Sequence, residues 1–145
     1  MNENLIIRID AIPPRATAQQ KGVFVAGGRP RFYKKARQER EEQNTVALLV
    51  AAKPKNFTPF TGPICVFLDL VWPYRKSEKK SVVRAGLLIP MDVRPDVDNL
   101  AKMMLDAASA AGLWRDDSQI TTLMIRKSWG EYPHWILKIT KEKER

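Results

Sequence analysis

The sequence predicts a single α/β domain over residues 1–145, in which two main helices pack on a small mixed β-sheet. Three observations predict this fold class. A chain of 145 residues, 44% of them hydrophobic, can bury one core but has little room for a second. Its segments follow the order strand, hairpin, helix, strand, loop, helix, strand, strand. Residues 64–72 are apolar on both faces, as expected of a strand in the centre of a sheet.

The first elements are a strand and a hairpin. Leu5, Ile7 and Ile9 alternate with other side chains, and this alternation predicts a strand over residues 4–10. A polar loop is expected over residues 15–21. Residues 23–25 and 31–33 flank a pair of glycines, which predicts a short hairpin.

A long helix is predicted over residues 33–52, and Pro54 ends it. Its first half is almost wholly charged, so we expect those turns to stand in solvent or along a partner. The second half supplies an apolar face from Val46, Ala47, Leu49 and Val50.

A second helix follows Pro95. Proline disfavours the helical region for Arg94, so the helix is expected to begin at about Asp98, and Gly112 is suited to follow its end. A one-sided apolar stripe has the spacing i, i+3, i+4, i+7, i+11, and consists of Leu100, Met103, Met104, Ala107 and Ala111.

The remaining segments carry weaker signals. Residues 74–91 are the least structured stretch and predict a flexible basic segment before the second helix. Residues 119–127 and 135–140 predict two strands, paired as a hairpin across residues 130–133. Residues 141–145 are expected to form a frayed tail.

Charge indicates a polyanionic partner. The chain has 25 Lys and Arg against 16 Asp and Glu, a net charge of +9, and a pI near 9.9. Its longest apolar run, residues 46–52, is too short to span a membrane, and no basic amphipathic helix favours a membrane surface. The one cysteine, Cys65, excludes an intramolecular disulfide. We therefore expect a cytoplasmic nucleic-acid-binding protein with no membrane partner.

The candidate DNA-binding cations fall into two groups and one further residue. The first group surrounds the predicted hairpin, the second lies in the flexible basic segment, and Arg94 directly precedes the second helix. They are Lys21, Arg29, Arg31, Lys34 and Lys35, then Arg75, Lys76, Lys79, Lys80 and Arg84, and Arg94. The alternative is that these are ordinary solvated charges.

Acidic residues cluster around the second helix within this basic chain. Asp98, Lys102 and Asp106 lie four residues apart on one helix face, and Asp96 precedes them near the positive end of the helix dipole. After Gly112, about five extended residues at roughly 3.3 Å each would carry Asp116 or Asp117 back towards the helix start. Carboxylates gathered with a lysine are typical of a Mg²⁺ site that hydrolyses phosphodiesters.

A purely structural interpretation stays open at this point. Asp98 could cap the helix, and Asp96 could be a first-turn acid that interacts favourably with the dipole. Lys102 could be the i+4 partner of Asp98, and Asp116 and Asp117 could belong to a solvated turn.

A family resemblance strengthens the functional interpretation. Residues 94–107 read Arg-Pro-Asp-Val-Asp-Asn-Leu-Ala-Lys-Met-Met-Leu-Asp-Ala, and residues 111–120 read Ala-Gly-Leu-Trp-Arg-Asp-Asp-Ser-Gln-Ile. These runs resemble the signature of the RusA-type Holliday junction resolvases, the crossover junction endodeoxyribonucleases. That signature combines D-x-D-N-x-x-K, an Asp-Ala one turn beyond the lysine, and a Gly-to-Asp-Asp-x-Gln segment.

The resemblance implies a RusA-like fold and specific site residues. Asp96, Asp98 and Asp117 match the family's catalytic, metal-binding carboxylates, and Lys102 matches its catalytic lysine. It also implies Mg²⁺ as the cofactor, for which Mn²⁺ can substitute, and a homodimer that cuts branched DNA such as a four-way junction. A bacterial or phage-encoded source would suit the family.

Two rival functions stay open on the sequence. One is a less selective branched-DNA or general DNA endonuclease that uses the same carboxylates. The other is a catalytically inactive junction-binding protein, against which Lys102 argues because binding alone does not need a lysine at this spacing.

Overall fold

The structure is a computed structural model that describes residues 3–15, 21–34 and 36–144. The predicted loop at residues 15–21 and the candidate DNA-binding residue Lys35 lie largely or wholly outside these ranges. Seven strands and three α-helices follow each other along the described chain. They are β1 (Asn4–Ile9), β2 (Lys21–Ala26), β3 (Arg29–Lys34), α1 (Ala36–Ala52), β4 (Ile64–Pro73), α2 (Lys80–Ala85), β5 (Ile89–Pro90), α3 (Val97–Ala110), β6 (Ile120–Gly130) and β7 (His134–Lys141).

Strand β4 forms the centre of a five-stranded mixed sheet. The strand order is β1-β7-β4-β6-β5, and β4 pairs parallel with β6 and antiparallel with β7. Ile64, Leu68 and Leu70 are at most 1% exposed, because a central strand has neighbours on both edges and the helices on one face. The predicted central strand and the predicted mixed α/β fold are confirmed.

The predicted hairpin between the last two strands is wrong. Strands β6 and β7 lie on opposite sides of β4, so the three-residue connection between them passes over the end of that strand. Each of the two strands satisfies its backbone groups by pairing with β4 instead. Short sequence separation favoured the hairpin, but both strands pair with β4 along most of its length.

Helix α3 buries the predicted apolar stripe. Leu100, Met103, Met104, Ala107 and Ala111 are all at most 3% exposed. Helix α1 packs beside it. The helix begins at Val97, one residue before the predicted start, and Asp96 occupies the N-cap position.

Helix α1 departs from its prediction in two respects. Residues 33 and 34 belong to β3, and the helix begins at Ala36. Leu49 is buried and Val46 is half-buried, but Ala47 and Val50 are exposed, so the predicted apolar face was too wide. The buried stripe instead includes Gln38, Thr45 and Leu49, whose spacing follows one side of the helix.

Strands β2 and β3 form the predicted hairpin, which is a two-stranded sheet separate from the main one. Its turn residues Gly27 and Gly28 have φ of 59° and 73°, the left-handed region that a two-residue hairpin turn requires. Val25 and Phe32 are 74% and 70% exposed, so most of this hairpin stands away from the core.

The stretch over residues 74–91 has more structure than the sequence predicts. Helix α2 lies within it, and β5 pairs antiparallel with β6 at the edge of the sheet. Tyr74 is tied across the segment, because its hydroxyl donates to the carbonyl of Leu87 at 2.5 Å. The sequence missed both elements because they are short and the segment is highly charged.

The end of the chain is also held more firmly than a frayed tail. Lys141 closes β7, and its backbone N–H donates to the carbonyl of Glu3 at 2.9 Å. The backbone N–H of Glu142 donates to the carbonyl of Pro63 at 2.9 Å, and its carboxylate accepts a hydrogen bond from the thiol of Cys65. That hydrogen bond raises the pKa of the Cys65 thiol, since losing the proton would place two negative charges together.

None of the helices that the structure describes combines the length and the apolar character needed to cross a lipid bilayer.

Candidate active site

The start of α3 is held against the sheet by a lysine. The ammonium group of Lys127 on β6 donates to the carbonyls of Val93 and Pro95 at 2.8 and 2.7 Å. Pro95 is buried, whereas Asp96 and Asp98 on either side of Val97 are exposed. Lys127 therefore fixes the connection into the helix from the side of the sheet, while both aspartates are exposed to solvent.

The carboxylates at this helix start are not used for capping. Asp96 occupies the N-cap position with φ −67° and ψ 143°, but within the described chain its side chain makes no capping hydrogen bond. Asp98 lies in the first turn and is not the cap that the structural interpretation assumed. Both remain near the positive end of the helix dipole, where negative charge is stabilised.

The exposed side of α3 carries the other charged residues of the motif. Lys102 and Asp106 follow Asp98 at intervals of four residues, and all three are exposed while the opposite side of the helix is in the core. This arrangement fixes the charged side chains on a rigid element, because the buried side cannot rotate without exposing the core.

Asp117 is positioned by the turn that follows α3. The indole N–H of Trp114 donates to Oδ1 of Asp117 at 2.7 Å. Gln119 braces the same turn, since its Oε1 accepts from the backbone N–H groups of Arg115 and Asp116 at 2.9 and 3.0 Å. The Nε2 of Gln119 donates to the carbonyls of Phe60 and Gly62, both at 3.0 Å, which ties the turn to the segment before β4.

Asp116 performs a local task in this turn. The hydroxyl of Ser118 donates to its Oδ2 at 2.6 Å, and this bond lowers the pKa of the Asp116 carboxyl. Asp116 and Gln119 also form a reciprocal capping box around the short 3₁₀ turn Asp117–Gln119. Asp116 therefore shapes the turn that presents its neighbour Asp117.

Asp106 and Asp117 come together in the structure. Asp106 is exposed as a residue, but partial loss of hydration raises the pKa of its carboxyl, and the charge and hydrogen bonding of Asp117 raise it further. Glu42 on α1 adds to this effect, while the nearby ammonium of Lys102 opposes it. Three acids and one lysine thus share an electrostatic environment where α1, α3 and the turn meet.

The predicted convergence on the helix start is only partly formed. Asp117 contacts Asp106, which lies two turns, or about 12 Å of helical rise, beyond Asp98. Within residues 3–15, 21–34 and 36–144, no group of three or more His, Cys, Asp or Glu side chains is arranged to hold a metal ion. The structure brings Lys102 near Asp106 and Asp117, and it leaves Asp96 and Asp98 at the helix start.

The donor set nevertheless fits a hard divalent cation. Carboxylate oxygens are the ligands that Mg²⁺ prefers. Asp106 and Asp117 lie in contact, and a bound divalent cation would relieve the repulsion between the two carboxylates. The assignment of Asp96, Asp98, Lys102 and Asp117 as site residues remains a prediction.

The candidate DNA-binding residues lie in different settings. Arg29 and Arg31 are exposed on β3, Lys21 and Lys34 lie in the strands of the same hairpin, and Arg94 is exposed before α3. Lys76, Lys79, Lys80 and Arg84 are exposed in and around α2.

Arg75 differs from the other cations because it already has protein partners. Its guanidinium pairs with Glu78 at 3.0 Å and lies 5.3 Å from the centre of the Trp129 ring. The charge of Arg75 is therefore partly satisfied within the protein.

Several residues of this region were not predicted from the sequence. Asp106 could have been predicted as a site residue, because it lies one helical turn beyond Lys102 in the motif. Trp114 and Gln119 stood within the signature but carried no assigned task. Nothing in the sequence indicated Glu42 as a neighbour of the site, since only the packing of α1 on α3 brings it near Asp106.

Comparison with known proteins agrees with the motif. The sequence model of the family described as Endodeoxyribonuclease RusA matches residues 11–140. The chain is also 36% identical over 90 residues to the uncharacterized protein YqaN of Bacillus subtilis strain 168. That match covers 59% of this chain and 62% of the length of YqaN. The match to the family model runs through the hairpin, both long helices and the last strands, and the chain therefore belongs to the RusA endodeoxyribonuclease family.

Proposed function

We propose that this protein is a divalent-metal-dependent endodeoxyribonuclease that resolves Holliday junctions by paired, symmetric nicks during DNA recombination and repair. The observation that carries the proposal is the exposed side of α3. It presents Asp98, Lys102 and Asp106 in line, with Asp96 at the helix start, while the other side is locked in the core. Membership of the RusA family and the net charge of +9 support the same function.

Asp96, Asp98 and Asp117 would supply the metal ligands, with Mg²⁺ as the expected cofactor and Mn²⁺ as a substitute. Asp117 would do so from beside Asp106, about 12 Å of helical rise from Asp98, so these three carboxylates need not share one ion. A bound divalent cation supplies an activated water and balances charge on the leaving oxygen. Lys102 lies one turn from Asp98, where its ammonium can stabilise the negative charge that develops on the phosphate.

DNA would be held by exposed cations on the hairpin and around α2. Arg29 and Arg31 project from the hairpin into solvent, and Lys79 and Lys80 lie at the start of α2. Such side chains neutralise phosphates without reading sequence, which suits recognition of a branched shape. A four-way junction has approximate two-fold symmetry, so a homodimer with one site per subunit would make two matched cuts.

The proposal also covers the kind of organism that encodes the protein and the cellular compartment in which it acts. A relative from Bacillus subtilis supports a bacterial or phage-encoded protein that meets its DNA in the cytoplasm.

The test is cleavage of a labelled four-way junction and of matched linear duplex, each with Mg²⁺, Mn²⁺ or EDTA. We expect paired nicks in the junction that need the metal. Asp98→Asn and Lys102→Ala should each lower the cleavage rate at least about 100-fold. Asp10→Asn is the matched control, because Asp10 is exposed and pairs with Arg8 on β1.

Three outcomes would contradict this proposal. Equal cutting of linear duplex would indicate a general endonuclease. Junction binding without cutting under either metal would indicate an inactive junction-binding protein. Full activity of Asp98→Asn would remove that residue from the site.

A further inference from the structure

The ring of Trp114 is fixed in the core directly beside the candidate site. Trp114 is 1% exposed and Leu113 before it is 0% exposed. Trp114 forms a parallel bridge with Phe60, whose backbone N–H donates to the carbonyl of Leu113 at 2.9 Å. Burial of the ring and this backbone pairing therefore hold Trp114 in place.

This fixed indole makes a specific bond to a carboxylate. Its N–H donates to Oδ1 of Asp117 at 2.7 Å, at the short end of the range for N–H to oxygen bonds and typical of a charged acceptor. The described protein offers a contrast, because Trp72 and Trp129 bury their indole nitrogens without a protein hydrogen-bond partner. Burial of an indole in this core therefore does not by itself bring a carboxylate to it.

The bond acts against a repulsive contact. Asp117 lies against Asp106, and Glu42 adds a third negative charge nearby. A hydrogen-bond donor on the core side would stabilise this carboxylate against the negative charge of its neighbours. The indole N–H of Trp114 supplies that donor. As a result, Oδ1 of Asp117 is engaged in a hydrogen bond within the protein.

We propose that Trp114 is a positioning residue for the active site, because its buried indole N–H fixes the Asp117 carboxylate in the orientation needed to bind a divalent cation. This inference rests on the proposed function, in which Asp117 is a metal ligand. Donors behind a ligand typically change metal affinity or activity 10- to 100-fold when they are removed. Trp114 acts through Asp117 and need not touch DNA.

The principal variant is Trp114→Phe, which keeps a buried aromatic ring and removes the N–H. A second variant places 3-benzothienylalanine at position 114, because this side chain has nearly the shape of tryptophan but carries sulfur in place of the N–H. Trp72→Phe is the matched control, since Trp72 is 0% exposed and its indole has no partner in the described protein.

Two measurements need no DNA. The first is the indole N–H resonances of the metal-free protein, in which the Trp114 signal should move in Asp117→Asn while that of Trp72 stays in place. The second is Mn²⁺ binding followed by electron paramagnetic resonance. We expect both variants at position 114 to weaken Mn²⁺ binding about 10- to 100-fold, and Trp72→Phe to leave it unchanged.

Junction cleavage as a function of Mg²⁺ concentration completes the test. Both variants at position 114 should need more Mg²⁺ for half-maximal cleavage and should regain rate when the metal is raised. If benzothienylalanine behaves like wild type, or if Trp72→Phe weakens Mn²⁺ binding equally, the positioning role is wrong while the nuclease stands. If wild type neither binds Mn²⁺ nor cuts the junction, the proposed function fails, and this inference fails with it.

Discussion

The carboxylates of this protein are distinguished by what surrounds each of them. Asp69 is ion-paired with Arg126 at 2.9 Å on the sheet, and Asp116 is bonded to Ser118 in the turn. Asp96 and Asp98 stand exposed at a helix start without a capping bond from Asp96. Only Asp106 has a raised pKa caused by burial and neighbouring acids, among the aspartates for which a shift is resolved in the described chain. The aspartates of this protein therefore have different roles, which depend on the groups that surround each carboxylate.

Asp106→Asn should stabilise the metal-free protein near neutral pH. The pKa of Asp106 is raised above its unfolded value, so the folded protein is penalised where this carboxyl is ionised. The penalty is fully present above the folded pKa and disappears as the pH falls through it. After allowance for solvent screening, we expect a rise in Tm of about 1–2 °C at pH 7.5 in EDTA.

The gain should fade as the pH approaches the ordinary carboxyl range near about 4. Thermal unfolding across pH measures both effects, and Asp10→Asn is the control because Asp10 has a cationic partner. A lower Tm for Asp106→Asn at pH 7.5 would mean that hydrogen bonding to Asp117 outweighs the repulsion.

At the scale of elements, the candidate active site and the projecting basic hairpin lie on separate parts of the fold. Helix α3 is locked by its buried side, and the turn after it is braced by four hydrogen bonds of the Gln119 side chain, which accepts two and donates two. The β2–β3 hairpin forms its own small sheet and carries exposed arginines. An isolated two-stranded hairpin is only marginally stable in water, so a bound partner would be expected to order it further. The fold thus combines a fixed acidic region with a projecting basic ribbon.

The hairpin and α2 should both contribute to the salt dependence of DNA binding. Arg29→Ala with Arg31→Ala should weaken junction and duplex binding and reduce the slope of log K against log salt by about 2, since each lost phosphate contact removes about 0.9. Lys79→Ala with Lys80→Ala should act in the same direction. Fluorescence anisotropy over a series of salt concentrations measures the slope.

Arg8→Ala is the control for both pairs, because Arg8 is engaged with Asp10 on β1. A double variant with the wild-type slope would remove that element from the DNA-binding surface.

At the scale of the whole molecule, the charges are unequally distributed. A chain with net charge +9 brings Glu42, Asp106 and Asp117 together near Lys102, while many of its other cations are exposed, including those on the hairpin and in the segment containing α2. A nuclease needs this combination, because cations attract the polyanion and carboxylates are needed only where the metal binds.

A homodimer is the whole-molecule prediction. Sedimentation should give a mass of twice 16.6 kDa. Dimers that join one wild-type subunit to one Asp98→Asn subunit, purified through two different tags, should nick only one of the two junction strands. Homodimers of each subunit are the controls. A monomeric mass in the active protein, or paired nicks from the mixed dimer, would contradict one site per subunit.

The sequence alone determined the elements whose signals are local. The alternation in β1, the glycine pair of the hairpin and the apolar stripe of α3 are all periodic patterns that short stretches carry by themselves. The Asp and Lys signature of α3 is local in the same sense, and the family comparison agrees with it.

Only the tertiary structure decided which residues meet. It placed β4 between β6 and β7, although these two strands are separated by three residues, because strand pairing depends on contacts between distant segments. It brought Glu42 to Asp106 through the packing of α1 on α3, and it turned the indole of Trp114 towards Asp117. Sequence spacing fixes which face of a helix a residue occupies, but the three-dimensional packing of distant elements determines what that face contacts.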